Sequence, residues 1–182
     1  MRVIAGEMGG RRIKAPKGHR TRPTADRVRE ALFSAVAPRL PGAQVLDLYA
    51  GSGAVGIEAL SRGAARAVFV ESDARAVQVI RENLAALKVA GHARLIRSDA
   101  LRAIAGLART GNRFDLIFLD PPYRTPVEPV LARLEGAGLL AETGLVVVQH
   151  FSKTALPQLK GWTPWKTRRY GETTLTFLKA PE

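Results

Sequence analysis

The sequence contains no cysteine among its 182 residues. The absence of thiols excludes disulfide bonds and thiolate metal sites. Apolar runs are also short, as at residues 144–148, whereas a membrane-spanning helix needs about 20 apolar residues. The N-terminal residues do not form an apolar segment followed by a small-residue cleavage site, the pattern of a signal peptide. We therefore expect a cytoplasmic protein without a membrane span.

Acidic residues are few compared with basic ones. There are 16 Asp and Glu against 28 Lys and Arg, which gives a net charge of +12. Residues 1–29 concentrate this excess, with nine cations and two acids. High net charge also aids solubility, but a cluster of this kind favours a polyanion such as a nucleic acid as partner. The candidate nucleic-acid contacts are Arg2, Arg11, Arg12, Lys14, Lys17, Arg20 and Arg22.

The N-terminal region differs in pattern from the remainder of the chain. Residues 1–23 predict a small basic hairpin extension, in which Val3-Ile4-Ala5 and Arg12-Ile13-Lys14 flank a turn at Gly9-Gly10. Residues 24–182 predict one main domain, since 182 residues are close to the commonest single-domain size.

The main domain alternates predicted helices and strands. Apolar periodicity predicts helices over residues 24–37, 53–62, 74–87, 100–108 and 127–134. It predicts strands over residues 44–48, 67–71, 93–97, 115–120 and 145–150, and a terminal hairpin from 165–170 and 173–179. Such alternation implies right-handed crossovers and a parallel sheet covered on both faces. The predicted class is α/β, a doubly wound Rossmann-like sheet of about seven strands, mostly parallel with a C-terminal antiparallel hairpin.

A glycine-rich segment, Asp47-Leu48-Tyr49-Ala50-Gly51-Ser52-Gly53, lies where the first predicted strand of the sheet meets its helix. Ligands of such sheets bind beyond the carboxyl ends of the strands, and glycines allow a ligand to approach the backbone. Residues 51–56 also match the dinucleotide pattern GxGxxG, a weak signal by itself. Asp47 distinguishes a dinucleotide from S-adenosylmethionine as the ligand. Its carboxylate repels pyrophosphate but suits the cationic amino group of S-adenosylmethionine. A nicotinamide dehydrogenase is further disfavoured because the chain has no room for a substrate domain.

Acids at the next two strand ends extend the predicted cofactor site. Glu71 ends the second strand of the sheet, where a carboxylate can accept hydrogen bonds from ribose hydroxyls, and Asp99 follows the third strand and could accept from the adenine amino group. Each acid alone could instead be a helix N-cap, but three beside a glycine loop favour a shared ligand. The predicted S-adenosylmethionine site comprises Asp47, Tyr49, Ala50, Gly51, Ser52, Gly53, Glu71, Ser72, Asp99 and Ala100.

The predicted catalytic segment is Asp120-Pro121-Pro122-Tyr123, which follows an apolar strand. The two prolines fix φ and bias Asp120 toward an extended conformation. An exocyclic amino group on a base is a poor nucleophile because its lone pair is delocalised into the ring. If Asp120 and the carbonyl oxygen of Pro121 accept its two N–H groups, the lone pair points at a methyl donor, and Tyr123 can stack on the base. Alone, the segment also suits a tight surface turn; with the glycine loop, it indicates an active site.

These motifs resemble the bacterial family that methylates N2 of a guanine in small-subunit (16S) ribosomal RNA. The most specific stretch is residues 21–33, TRPTADRVREALF, supported by residues 47–53, 114–123 and 170–173. Tyr49 stands where relatives often carry Phe, which leaves an aromatic side chain in place. The resemblance covers nearly the whole chain and implies S-adenosylmethionine as methyl donor. It implies RNA on an assembled or partly assembled small subunit as substrate. We expect a monomer.

Two other functions stay open on the sequence. Asp-Pro-Pro-Tyr also occurs in DNA adenine-N6 methyltransferases, so the target base depends on the resemblance, and a non-catalytic RNA-binding assembly factor could retain the fold. The three histidines lack metal-ligand spacing, so we expect no metal site. We expect Asn83 on the surface of its helix, and Trp162 and Trp165 packing the terminal hairpin rather than stacking on bases. Arg168 and Arg169 would extend the basic surface if the hairpin lies near the cleft.

Overall fold

The computed structural model describes residues 1–16, 23–122, 125–154, 156 and 161–180, with the side chains of residues 23–25 excepted. The α-helices are α1 Pro23–Val36, α2 Ala54–Ser61, α3 Ala74–Ala86, α4 Ala100–Arg109 and α5 Glu128–Ala137. The strands are β1 Gln44–Asp47, β2 Arg66–Glu71, β3 Ala93–Arg97, β4 Phe114–Leu119, β5 Leu140–Phe151, β6 Thr163–Tyr170 and β7 Thr173–Lys179. No helix of this described part is long and apolar enough to cross a membrane.

The strands form one seven-stranded sheet in the order β3-β2-β1-β4-β5-β7-β6. Strands β1 to β5 are parallel to their neighbours, whereas β7 is antiparallel to both β5 and β6. The predicted doubly wound sheet with a C-terminal antiparallel hairpin is therefore confirmed. The strand order reverses between β1 and β4, which is the point where open α/β sheets bind ligands. Asp47 at the end of β1 pairs with Phe118, so the segment after β4 begins beside the glycine loop.

Two hydrophobic clusters cover the two faces of the sheet. On one face, α1, α2 and α3 contribute buried side chains such as Phe33, Ile57 and Ile80. On the other face, α4 and α5 contribute residues such as Ile104 and Leu131. The central strands are buried on both sides, which explains why they read as nearly continuous apolar runs in the sequence.

Residues 1–16, called the N-terminal hairpin below, fold back on themselves. A single antiparallel bridge joins Arg2 to Arg12, and the Val3 N–H donates to the Arg11 carbonyl oxygen at 2.9 Å. The pairing is shorter than two full strands, because much of the segment forms bends and turns. Three of its apolar side chains are buried in the cluster on the α1–α3 face: Val3, Met8 and Ile13.

The predicted bounds are least accurate around β5. The strand was predicted over residues 145–150 but begins at Leu140. Residues 142–144, Glu-Thr-Gly, lack the apolar pattern from which the strand was predicted. Leu140 pairs with Phe114, and a register shift after Phe114 accommodates the irregular segment. The preceding helix ends at Ala137 rather than at residue 134, and Gly138 follows it with a left-handed φ of 59°.

Candidate active site

The end of β1 buries a carboxylate that lacks one hydrogen-bond partner. Asp47 is only 1% exposed, and its Oδ2 accepts from the Gly56 N–H at 3.3 Å. Its Oδ1 has no partner in the described part of the chain. Burial, reinforced by the negative charges of Asp120 and Glu71, raises the pKa of Asp47 to about 7. An unpaired buried carboxylate oxygen is costly, so this atom fits a ligand that supplies an N–H group.

The glycine loop turns directly after Asp47 and leads into α2. Gly53 precedes the helix with φ of 79°, a left-handed conformation that costs glycine little. A Cβ at Gly53 would lie 3.3 Å from Ile80, so space also restricts this position. The Gly51 N–H donates to Glu71 Oε2 at 2.8 Å. Glu71 therefore holds the loop against the end of β2, a structural contact that sequence reasoning missed.

Asp99 is a helix N-cap, which was the alternative role that the sequence allowed for this residue. Its Oδ1 accepts from the Arg102 N–H at 3.0 Å and so caps α4. The side chain nevertheless remains about half exposed, at 50%, so capping leaves it accessible to a ligand. Asp73, which was not among the predicted site residues, caps α3 in the same way by accepting from Arg75 and Ala76.

A cavity of about 310 Å³ lies beside these strand ends, within the range of small-molecule sites. Five of the predicted cofactor residues line it, namely Tyr49, Glu71, Ser72, Asp99 and Ala100. Leu101, which is 41% exposed, and Pro126 also line it and were not predicted. A second cavity of about 390 Å³ lies between α4 and α5, and no predicted site residue lines it.

Two other predicted cofactor residues, Ala50 and Ser52, are buried within the loop. Ala50 is buried, and its N–H donates to the Val70 carbonyl oxygen at 3.0 Å. Ser52 is also buried, and its Oγ lies 3.5 Å from the Met1 sulfur. The structure therefore brings all ten predicted residues to the ends of β1, β2 and β3, but only five of them face the cavity.

The predicted catalytic segment begins where β4 ends. Asp120 has an exposed side chain, yet the surrounding protein atoms desolvate the carboxyl group and raise its pKa to about 6. Pro121 is half-buried and Pro122 is exposed. The Thr125 N–H donates to the Pro122 carbonyl oxygen at 2.8 Å. Tyr123 lies outside the described residues.

The predicted RNA contacts of the N-terminal hairpin are exposed but not equally free. Arg2 and Arg12 are exposed, whereas Arg11 donates to the Ala86 carbonyl oxygen at 2.7 Å. Lys14 Nζ lies 2.8 Å from Glu82 Oε2. The predicted contacts outside the described residues are Lys17, Arg20 and Arg22.

The expectation that Asn83 lies on the surface is wrong. Asn83 is 2% exposed, and its Oδ1 accepts from the Lys14 N–H at 2.8 Å. Its Nδ2 donates to the carbonyl oxygens of Lys14 and Ser52, each at 3.0 Å. Asn83 thus joins the N-terminal hairpin to the glycine loop. Its helical spacing from Ile80 was a signal for an inward position.

Comparisons with known proteins give the family. Residues 1–179 match the family model described as Conserved hypothetical protein 95. Ribosomal RNA small subunit methyltransferase D from Escherichia coli K12 is 43% identical over 158 residues, covering 86% of this chain and 78% of that protein. The chain belongs to the methyltransferase D family. This membership confirms the resemblance on which the sequence prediction depends.

Two further comparisons extend the methyltransferase D family assignment along the chain. YlbH from Bacillus subtilis strain 168 is 42% identical over 162 residues, covering 88% of each protein. The solved structure of yhhF from Escherichia coli has a TM-score of 0.87 and 35% identity, covering 99% of this chain and 97% of that one. The likeness therefore includes the N-terminal hairpin as well as the sheet.

Proposed function

We propose that the protein transfers a methyl group from S-adenosylmethionine to the exocyclic N2 amino group of a guanine in 16S ribosomal RNA. The substrate is the small subunit or an assembly intermediate. The enzyme acts in the cytoplasm as a monomer. The observation that carries the proposal is the pair of carboxylates at adjacent strand ends. Asp47 is buried and lacks one hydrogen-bond partner among the described residues, and Asp120 is exposed. The name of the Escherichia coli relative supports ribosomal RNA of the small subunit as the substrate class.

The residues around the cavity fit the proposed cofactor. Asp47 Oδ1 would accept a hydrogen bond from its cationic amino group, which would satisfy an atom that has no partner among the described residues. Glu71 and Asp99 line the cavity and would accept from ribose hydroxyls and the adenine amino group. S-adenosylmethionine supplies a methyl group activated by its sulfonium centre. Gly51 would allow close approach because it has no side chain, whereas the space beside Gly53 is occupied by Ile80.

Asp120 and Pro121 would orient the amino group of the target base. Above a pH of about 6 the Asp120 side chain is a carboxylate, which accepts one N–H while the Pro121 carbonyl oxygen accepts the other. The prolines restrict the backbone, so the two acceptors hold a fixed relation to each other. Such orientation is a major source of rate enhancement. The proton lost by the nitrogen can pass through the Asp120 carboxylate to water, because that side chain is exposed.

The catalytic and RNA-contact residues have separate roles in this proposal. Tyr123 would stack on the base and Pro122 would complete the rigid turn beside it. The basic residues of the N-terminal region would contact phosphates, so RNA affinity should fall as salt rises. A base inside folded RNA must be unstacked before it reaches Asp120, at a cost of a few kcal/mol.

Radiolabelled methyl transfer tests the proposal against its alternatives. Small subunits from a strain lacking this protein and adenine-containing duplex DNA are offered separately, and the labelled nucleoside is identified by mass spectrometry. We expect label on the subunits only, as N2-methylguanosine. Label on adenine in DNA would indicate a DNA methyltransferase, and RNA binding without transfer to either substrate would indicate an assembly factor.

A further inference from the structure

The outer strand β6 carries a row of aromatic and cationic side chains on one face. Its register with β7 places Lys166 opposite Phe177 and Arg168 opposite Leu175. Directly paired residues of antiparallel strands share a face, and Phe177 and Leu175 belong to the core on the α1–α3 side. Tyr170 packs against the same core. These side chains therefore follow β6 on the face that the N-terminal hairpin also covers.

Trp165 joins this row at an irregularity in the strand. The register shifts between Pro164 and Lys166, and the Trp165 ring meets the Phe177 ring edge-on with centroids 6.0 Å apart. Trp165 is 41% exposed, so packing against Phe177 leaves part of its side chain accessible to solvent. This differs from Trp162, which is buried and donates to the Leu131 carbonyl oxygen. We call the row Trp165, Lys166, Arg168 and Tyr170 the edge stripe.

Cations surround the exposed tryptophan. Arg39 lies 5.8 Å from its ring centroid, and Lys166 and Lys179 each lie 5.7 Å from it. Within the described part of the chain, none of these three forms a salt bridge, and neither does Arg168. Their charges are therefore not neutralised by described acidic side chains. An aromatic face with uncompensated cations is the arrangement by which proteins hold single-stranded nucleic acid.

The edge stripe runs toward the active-site end of the sheet. Phe151 is the last residue of β5, so it lies at the edge of the sheet where the other parallel strands also end. It pairs with Thr173. Thr173 in turn pairs with Tyr170, so Tyr170 lies at the active-site edge. Trp165 lies five residues earlier, at roughly 3.3 Å per residue along the strand. The stripe therefore begins at the active-site edge and leads away from it.

We infer that the edge stripe is a second RNA-binding surface, which holds the part of the substrate RNA that flanks the reactive base. Trp165 stacks on an unpaired base, and Lys166 and Arg168 contact phosphates, together with the neighbouring Lys179 of β7. The identity of the RNA rests on the proposed function, but the surface itself rests on the geometry of β6. Cations on an outer strand can also serve only to prevent pairing between sheet edges. In that case, their removal would leave RNA affinity unchanged.

The test compares variants of the stripe with a control of matched charge. Trp165→Leu and the pair Lys166→Gln with Arg168→Gln are compared with Arg109→Gln and Arg133→Gln, two exposed cations on α4 and α5. Affinity for small subunits from a strain lacking this protein is measured at several salt concentrations, together with cofactor affinity and Tm. We expect Trp165→Leu to weaken RNA binding roughly 5- to 150-fold, the equivalent of one stacked base.

The cation pairs separate local contacts from the effect of net charge. Loss of two phosphate contacts should reduce the slope of log affinity against log salt concentration by about 1.4 to 1.8. The control pair should leave this slope unchanged. Equal affinities for the stripe and control variants would overturn the inference. Wild-type protein that binds RNA through the stripe but transfers no methyl group would instead remove only the proposed function.

Crosslinking of the wild-type protein tests the surface without any substitution. Small-subunit RNA containing 4-thiouridine is irradiated in the complex, and the crosslinked peptides are identified by mass spectrometry. We expect crosslinks within residues 163–170. Crosslinks confined to the N-terminal hairpin and the active site would contradict the inference.

Discussion

Asp47 illustrates at the scale of one residue how a binding site can reduce stability. Its carboxyl group is buried, and its pKa is raised to about 7 from an ordinary value of 3.8. Between these pH values the folded protein binds more protons at this position than the unfolded chain does. Stability therefore falls as the pH rises from about 4 to about 7, and the penalty is complete above that.

The substitution Asp47→Asn should raise Tm in the absence of cofactor, because an amide avoids burial of a charge. The gain in Tm should be larger at pH 8 than at pH 5. Each kcal/mol by which the free energy of unfolding increases should raise Tm by roughly 2–4 °C. Cofactor affinity should fall about tenfold or more, since a hydrogen bond to a charged group is lost. Thermal unfolding at both pH values and calorimetric titration would check this. An equal change in Tm at the two pH values would contradict the assignment.

The N-terminal hairpin shows at the scale of an element how backbone geometry attaches it to the domain. Gly6 and Gly10 both have φ of 82°, but their surroundings differ. A Cβ at Gly6 would lie 1.8 Å from the Ser61 carbonyl oxygen, whereas a Cβ at Gly10 would meet no atom of the described residues within 4 Å. The close approach at Gly6 permits the Glu7 N–H to donate to that same carbonyl at 2.8 Å.

Gly6→Ala should therefore destabilise the protein more than Gly10→Ala. Both variants incur the left-handed strain of about 1–2 kcal/mol. Gly6→Ala adds a steric overlap worth about 1–3 kcal/mol, which the hairpin can relieve only by moving away from α2. Urea unfolding measures the difference, and limited proteolysis should show earlier cleavage near the N-terminus in Gly6→Ala. Equal free energies of unfolding would show that the contact with Ser61 is unimportant.

The accuracy of sequence prediction also varies between elements. The central strands were predictable because burial on both faces leaves an apolar run bounded by polar turns. Asn83 and Glu58 were not recognised as buried, since polar residues in helices are usually exposed. Glu58 is 0% exposed and accepts from the Ile4 and Ala5 N–H groups at 2.8 and 3.0 Å. Its partners come from distant parts of the chain, and no local pattern reveals such pairing.

The candidate site was partly predictable for a similar reason. Asp47 and Asp120 were identified because each follows an apolar strand, and the switch point of the sheet brings such ends together. The sequence could not show that Glu71 would accept from Gly51, or that Pro126 would line the cavity. Both contacts depend on the relative positions of loops, which a periodic pattern does not encode.

At the scale of the whole molecule, charge is the dominant feature. The net charge of +12 should give any anionic partner a long-range attraction that weakens as salt rises. The cations differ in availability, since Lys14 is paired with Glu82 whereas Arg12 is exposed and without a described salt bridge. Their contributions to RNA binding should differ accordingly.

Replacing Arg11, Arg12 and Lys14 together with Ala should lower RNA affinity and leave cofactor affinity intact. The slope of log affinity against log salt concentration should decrease by about 0.7–0.9 for each phosphate contact removed. Filter binding at several salt concentrations measures this, and calorimetry measures cofactor affinity. Equal losses of RNA and cofactor affinity would instead indicate that the hairpin acts through Asn83 on the glycine loop.

The most direct measurement of the central claim is methyl transfer by an Asp120→Ala variant under saturating cofactor and small subunits. The proposed role predicts a kcat at least about 100-fold below that of the wild type, the usual effect of removing one preorganised polar contact. Affinities for RNA and cofactor should remain close to those of the wild type. An Asp120→Ala enzyme that transfers methyl groups at the wild-type rate would contradict the account.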